Sequence, residues 1–131
     1  MQAGGARGAI GAAMTGLAAF RVLLGAASWL APGPVSRLYG VPDERMTPEL
    51  EYVTRVFGVR AVALGLGYLT SSGEGRRVWQ RLWLLCDAAD TAMGADMIRR
   101  GRLDAKLGAS ALATTAPAMA LDVAALASGG A

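Results

Sequence analysis

Apolar and polar positions fall in blocks along this chain, not in residue-by-residue alternation. Four apolar stretches, at about residues 8–31, 50–72, 78–98 and 106–127, are separated by short charged or Pro/Gly-rich breaks. The first carries a single charge, Arg21, and stops at Pro32-Gly33-Pro34. A polar connector with Asp43, Glu44 and Arg45 leads into Thr47-Pro48-Glu49. That triplet reads as a helix start: an N-cap, a proline at the first helical position and an acid in the first turn. Ser71-Ser72-Gly73 and Gly75 end the second stretch. The third is flanked by Arg76, Arg77 and Arg81 before it and Arg99, Arg100 and Arg102 after it. The fourth is uncharged from Leu107 to Leu121 and holds Asp122 near its end.

A helix rising 1.5 Å per residue needs roughly 20 residues to cross about 30 Å of hydrocarbon. Each stretch has about that length, and none shows the strict period of two of a barrel strand. The pattern therefore predicts an all-α chain, a four-transmembrane-helix bundle forming one integral membrane domain over residues 1–131. The competing fold is a soluble four-helix bundle, which charges inside the stretches favour; stretches one and four, however, barely show the polar face it requires. Trp29, Trp79 and Trp83 lie near stretch ends, where interfacial aromatics gather. Arg7 followed by an apolar run resembles a secretion signal, but Arg21 interrupts the run and Pro32 stands where a small-residue cleavage site belongs, so a retained helix is expected. Four spans put Arg7, Arg76, Arg77 and Arg81 on one side and Arg37, Arg45, Arg99, Arg100, Arg102 and Lys106 on the other. That balance mildly favours the first and third connectors in the cytoplasm.

Composition narrows the chemistry. Of 131 residues, 53% are apolar and 18% charged, which excludes a disordered chain. One cysteine excludes a disulfide scaffold, and the lack of histidine removes His-based metal sites, haem ligation by His and Ser-His-Asp chemistry. The net charge of +3 sits mainly on the flanks and suits anionic headgroups, not nucleic acid.

The informative residues are the charges inside the stretches. Arg21 lies ten residues before Ala31 and Arg60 ten after Leu50, about 15 Å deep from the same side. Counted back from Ile98, Asp87 and Asp90 lie about 16 and 12 Å deep. An unpaired charge near the bilayer centre costs several kcal/mol, so these four are expected to face inward as one network, Arg21 and Arg60 clamped by Asp87 and Asp90. Asp87, Asp90, Thr91 and Gly94 share a helix face. Arginine's planar fork suits bidentate pairing with carboxylates. Secondary charged positions are Arg55, expected to reach Asp96 or to snorkel beside Glu51, and Asp122, expected near the opposite side at the level of Arg77 and Arg81. With two arginines at the same depth, a divalent metal between the carboxylates is disfavoured, and no metal or cofactor is assigned.

Small residues recur four apart: Gly8, Ala12, Gly16; Ala61, Gly65; Ala63, Gly67; Ala105, Ala109, Ala113; Ala116, Ala120, Ala124. Such rows let membrane helices touch closely, and their surplus points to a homo-oligomer. Pro117 should kink the fourth helix, with Thr114 and Thr115 able to cap the freed carbonyls. Gly65-Leu66-Gly67 follows no strand and is no nucleotide fingerprint. Cys86 and the methionines read as packing.

The run Arg55-Val56-Phe57-Gly58-Val59-Arg60-Ala61-Val62-Ala63-Leu64-Gly65-Leu66, with Asp87-Ala88-Ala89-Asp90 after it, resembles small four-helix membrane proteins common in actinobacteria, a family of unknown function that is distantly DoxX-like. The resemblance extends from Arg21 to about Asp122 and implies a four-helix membrane fold; it implies no activity. The family often places an acidic residue after the second arginine, where this chain has Ala61.

Three functions follow as expectations. The first is a non-enzymatic structural or accessory protein integral to the plasma (inner) membrane, with the lipid bilayer and further copies of itself as partners. The second is a small transporter or channel using Arg21, Arg60, Asp87 and Asp90. The third is an accessory subunit of a redox complex that binds lipid or quinone beside Trp79 and Trp83.

Overall fold

In the computed structural model, the described residues, 2–129, form five α-helices and contain no strand. The two ends of the expected domain, residue 1 and residues 130–131, lie outside the described residues. Four helices are long: α1 (Gln2–Leu30), α3 (Pro48–Thr70), α4 (Gly73–Arg99) and α5 (Ala105–Ala127). Between the first two stand the short α2 (Pro32–Leu38) and a single 3-10 turn (Asp43–Arg45). At 1.5 Å per residue the long helices measure about 34 to 43 Å. Three of them, α1, α3 and α5, are long and apolar enough to cross a membrane. The fourth, α4, is long but carries Asp87, Asp90 and Asp96 in its second half and arginines in its first.

Local chemistry explains the boundaries. Thr47 caps α3, its hydroxyl accepting from the Leu50 amide at 3.2 Å, with Pro48 at the first helical position. Asp104 caps α5 by accepting from the amides of Lys106 (2.9 Å) and Leu107 (3.4 Å). Two boundaries differ from the expected ones. Pro32-Gly33-Pro34 ends α1 but also starts α2, because a proline at a first helical turn loses no hydrogen bond. Helix α4, the third apolar stretch, begins at Gly73, not near Val78. Gly73, at φ +54°, makes the reversal, and Gly75, Arg76, Arg77 and Arg81 are helical instead of flanking. Charge does not stop a helix, and arginine is among the better helix formers.

The long helices pack in the cyclic order α1–α3–α4–α5, with α1 most extensively against α3 and α4 against α5. The α1–α3 seam is built from small residues at heptad-like spacing: Ala18, Gly25 and Ser28 on α1 meet Gly58, Ala61 and Gly65 on α3. Gly25 and Gly58 face each other so closely that a Cβ on either would collide with the other's carbonyl. A Cβ on Gly65 would stand 2.6 Å from the Ala18 carbonyl oxygen. The Ala61/Gly65 row is thus intrachain packing, whereas Gly8, Ala12 and Gly16 are exposed, with nothing within 4 Å of a Cβ on either glycine.

The core comprises Met14, Ala18, Leu64, Tyr68, Trp83 and Ala125. Trp83 is wholly buried, which corrects its reading as an interfacial aromatic. Its indole N–H donates to the Leu64 carbonyl at 3.0 Å and its ring lies 4.9 Å from that of Tyr68. Hydropathy alone cannot tell an aromatic near a helix end from one that a neighbouring glycine-rich helix admits to the core. The outside is apolar: in the most apolar windows of α1 and α5 only 17% of residues are buried, so most of that greasy surface has no protein partner.

Candidate functional site

The network residues project from three helices. Counting at 1.5 Å per residue from the side where α1 ends, Arg21 and Asp90 lie about 14 Å deep and Asp87 and Arg60 about 18 Å. Side chains on a helix lean toward its N-terminus. Arg21 on α1 therefore leans deeper and Arg60 on the antiparallel α3 leans shallower. This selects the pairing: Arg21 donates from Nη2 to Asp87 Oδ2, and Arg60 donates from Nη2 to Asp90 Oδ2.

The two pairs differ in environment. Side-chain exposure is 13% and 4% for Arg21 and Asp87, against 43% and 32% for Arg60 and Asp90. The inner pair is roofed by Trp83, whose ring lies 4.4 Å from the Arg21 guanidinium carbon, a cation–π contact in a desolvated place. The outer pair is flanked by Phe57, 5.6 Å from the Arg60 guanidinium carbon. Arg21 Nε has no acceptor among the described residues.

The secondary positions need correction. Of the two places expected for Arg55, the structure has the one beside Glu51 and not the contact with Asp96. Arg55 pairs with Glu51 at 3.0 Å and donates to the Trp29 carbonyl, while Asp96 is held on its own helix by Arg99 (2.8 Å) and Arg100 (2.9 Å). One turn of separation makes these local pairs easier to form than an interhelical one. Arg81 pairs with Glu74 at 3.6 Å, and Arg77 donates to the Gly129 carbonyl. Asp122 does not sit at their level. It is completely buried against Asp87 and within the field of Arg21. The leaning rule explains the shift: α4 and α5 are antiparallel, so carboxyls about 7 Å apart along the axis incline toward each other. Neither Asp122 oxygen accepts a hydrogen bond from a described donor. The network thus joins three carboxyl groups to two guanidinium groups, Asp122 being the carboxyl that neither arginine pairs with directly.

Hydroxyls continue the polar track. Thr91 donates to Thr115 at 3.0 Å across the α4–α5 interface, and the Tyr39 hydroxyl meets Thr114 Oγ1 at 3.2 Å. Thr114 and Thr115 donate back to the carbonyls of Ser110 (3.0 Å) and Ala111 (3.2 Å) and not to the Ala113 carbonyl that Pro117 leaves free, and α5 runs through Pro117 without a break. A cavity of about 40 Å³ lies among Arg21, Arg60, Asp87, Asp90, Thr114 and Thr115, room for a water-sized guest. It adjoins a wider cleft of about 380 Å³ toward Tyr39 and Ala111. Of the two tryptophans beside which a lipophilic ligand is expected, Trp83 is fully buried, while Trp79 is half-buried and packs into the notch left by Gly67.

No protein-family model, curated protein or solved structure matches this chain. The likeness to DoxX-type bundles gains no support from them.

Proposed function

We infer that the chain is a polytopic protein of the plasma (inner) membrane in which all four long helices cross the bilayer as a four-helix bundle, and that it serves as a non-enzymatic, self-associating structural or accessory component. The observation that carries this reading is the buried Arg21–Asp87 pair, which ties α1 to α4 across the centre of the molecule. Charges on α4 that would bar it from hydrocarbon are matched by guanidinium groups of α1 and α3, so the helix enters with partners in place. Bare apolar surfaces on α1 and α5 call for lipid around them. The exposed Gly8/Ala12/Gly16 row offers a face on which a second copy packs closely. Mass measurement in mild detergent tests the reading: the expected result is a multiple of the chain mass, reduced by Gly16→Leu. A strict monomer bound to nothing overturns it.

The Asp122 carboxyl, buried against Asp87 with no described donor, favours a second reading, a small transporter or channel that admits a proton or cation to the Asp87–Asp122 pair through the adjoining cavity of about 40 Å³. Flux in liposomes decides between them. Movement of protons or small acids that Asp122→Asn or Asp90→Asn abolishes establishes transport, and no flux removes it.

A further inference from the structure

We propose that the cleft between α3 and α5 is a binding site for one neutral lipophile, with an apolar tail and a small head that both accepts and donates a hydrogen bond, taken from the bilayer interior. The proposal rests on the membrane-spanning reading above and adds a ligand to it.

The cleft exists because α3 and α5 lie diagonally in the bundle and make no substantial contact. Its main chamber, about 380 Å³, is walled by Val53, Val56 and Phe57 on one side and Ala111 and Thr114 on the other. Tyr39, Val53 and Phe57 also line a second chamber of about 270 Å³ beneath α2, closed by Val35, Leu50 and Leu107. The two chambers therefore adjoin across these three side chains, together have the size that holds a small ligand, and are almost wholly apolar except at one end. At that end converge Arg60, Asp90, Thr115 and the Tyr39–Thr114 hydroxyl pair. An apolar chamber with a few convergent polar groups is the usual form of a small-molecule site.

Two features define the head. Arg60 and Asp90 keep 43% and 32% of their side chains exposed at about 14 to 18 Å from the membrane surface, where neither headgroups nor bulk water cover an ion pair. Something with hydrogen-bonding capacity belongs there. Because the pair is balanced in charge, the head is neutral: an anion competes with Asp90 for the guanidinium, and a cation competes with Arg60. Arg60 offers further N–H groups to an acceptor, while Asp90 Oδ1 and the hydroxyls of Tyr39 and Thr114 take a donor. Depth completes the assignment. Phospholipids hold their charged heads at the surface, whereas this polar end lies near the midplane and the tail chamber runs back toward α2. A compound that dissolves in the hydrocarbon fits: a hydroxyl- or carbonyl-bearing lipophile, with a chain or a ring carrying the head. Phe57, present in both chambers, provides a flat face for a ring.

Equilibrium binding to the full chain in nanodiscs tests this with two radiolabelled probes, a monoacylglycerol for the chain type and an alkyl hydroquinone for the ring type. The expected result is saturable binding of at least one probe, one per chain, unaffected by excess palmitate or phosphatidylglycerol. Ala111→Phe, which fills the main chamber, should weaken it at least tenfold, and Thr114→Val, which keeps the shape and removes a hydroxyl, several-fold. Asp90→Asn frees the guanidinium, so palmitate should then compete. Failure of both probes to saturate, equal competition by palmitate in the unaltered chain, or undiminished binding in both Ala111→Phe and Thr114→Val overturns the proposal while the bundle stands. A chain that does not insert into nanodiscs overturns the membrane reading along with it.

Discussion

Replacing Arg21 by methionine keeps the length and apolar stem of the side chain but removes its charge. Asp87, with 4% of its side chain exposed, is then left facing Asp122, which is fully buried and without a donor. Breaking a buried pair in this way costs about 3–5 kcal/mol, because a carboxylate remains in a low-dielectric place without its partner. The Trp83 contact is lost in the same step. Arg60→Met is the comparison: its pair is 43% and 32% exposed, so the stranded Asp90 can reach the open cleft and the loss should be smaller than for Arg21→Met. Asp87→Leu alone should resemble Arg21→Met, since it strands the guanidinium instead. Were the two independent, the double variant would lose about 6–10 kcal/mol. Because the double variant strands neither member of the pair, it should lose no more than about 2 kcal/mol, an interaction energy of at least about 4 kcal/mol. The assay is reversible unfolding in mixed micelles followed by tryptophan fluorescence, with Trp83 reporting from the core. Arg21→Met within about 1 kcal/mol of the parent, or double-variant losses that add to within about 0.5 kcal/mol, refutes the reasoning.

Other consequences are equally specific. Gly58→Leu drives a side chain into the Gly25 backbone and should prevent α1–α3 docking, seen as loss of a folded monodisperse species, whereas Gly5→Ala, with no atom within 4 Å, should not lower stability in a thermal melt, alanine being the better helix former. Asp122→Asn keeps the shape of a buried carboxyl that pairs with neither arginine directly, so its unfolding midpoint should equal or exceed the parent's; a loss above about 2 kcal/mol in micelle unfolding contradicts this account of Asp122. Thr47→Ala removes the α3 cap and should cost about 1 kcal/mol, with earlier amide exchange confined to the first turn of α3.

How far the chain could be read in advance depended on which physics each feature uses. Helix spans follow from local pattern, so the Thr47 start and the long α3 and α5 were legible. The short α2 was hidden because prolines read as a stop also make a start. Depth counting put Arg21, Arg60, Asp87 and Asp90 at one level, but which arginine takes which aspartate depends on the direction in which each side chain leans, and that requires helix polarity. The same rule, applied to antiparallel α4 and α5, would have moved Asp122 toward Asp87. The heptad-like seam through Gly25 and Gly58 escaped a search for small residues four apart, because its repeat mixes steps of three and four. The outer cleft depends on α3 and α5 making no substantial contact, a tertiary fact with no local signature.

The claim beneath all of this is that α4 lies in hydrocarbon despite its charges. A spin label at Leu85, 66% exposed on the outward face of α4 two residues before Asp87, tests it directly in liposomes after Cys86→Ser and Leu85→Cys. Relaxation by oxygen with protection from a water-soluble paramagnetic reagent is the predicted result, matching a label at Val59 on α3 and opposite to one at Leu38. A Leu85 label that the aqueous reagent reaches as readily as the one at Leu38 contradicts the account.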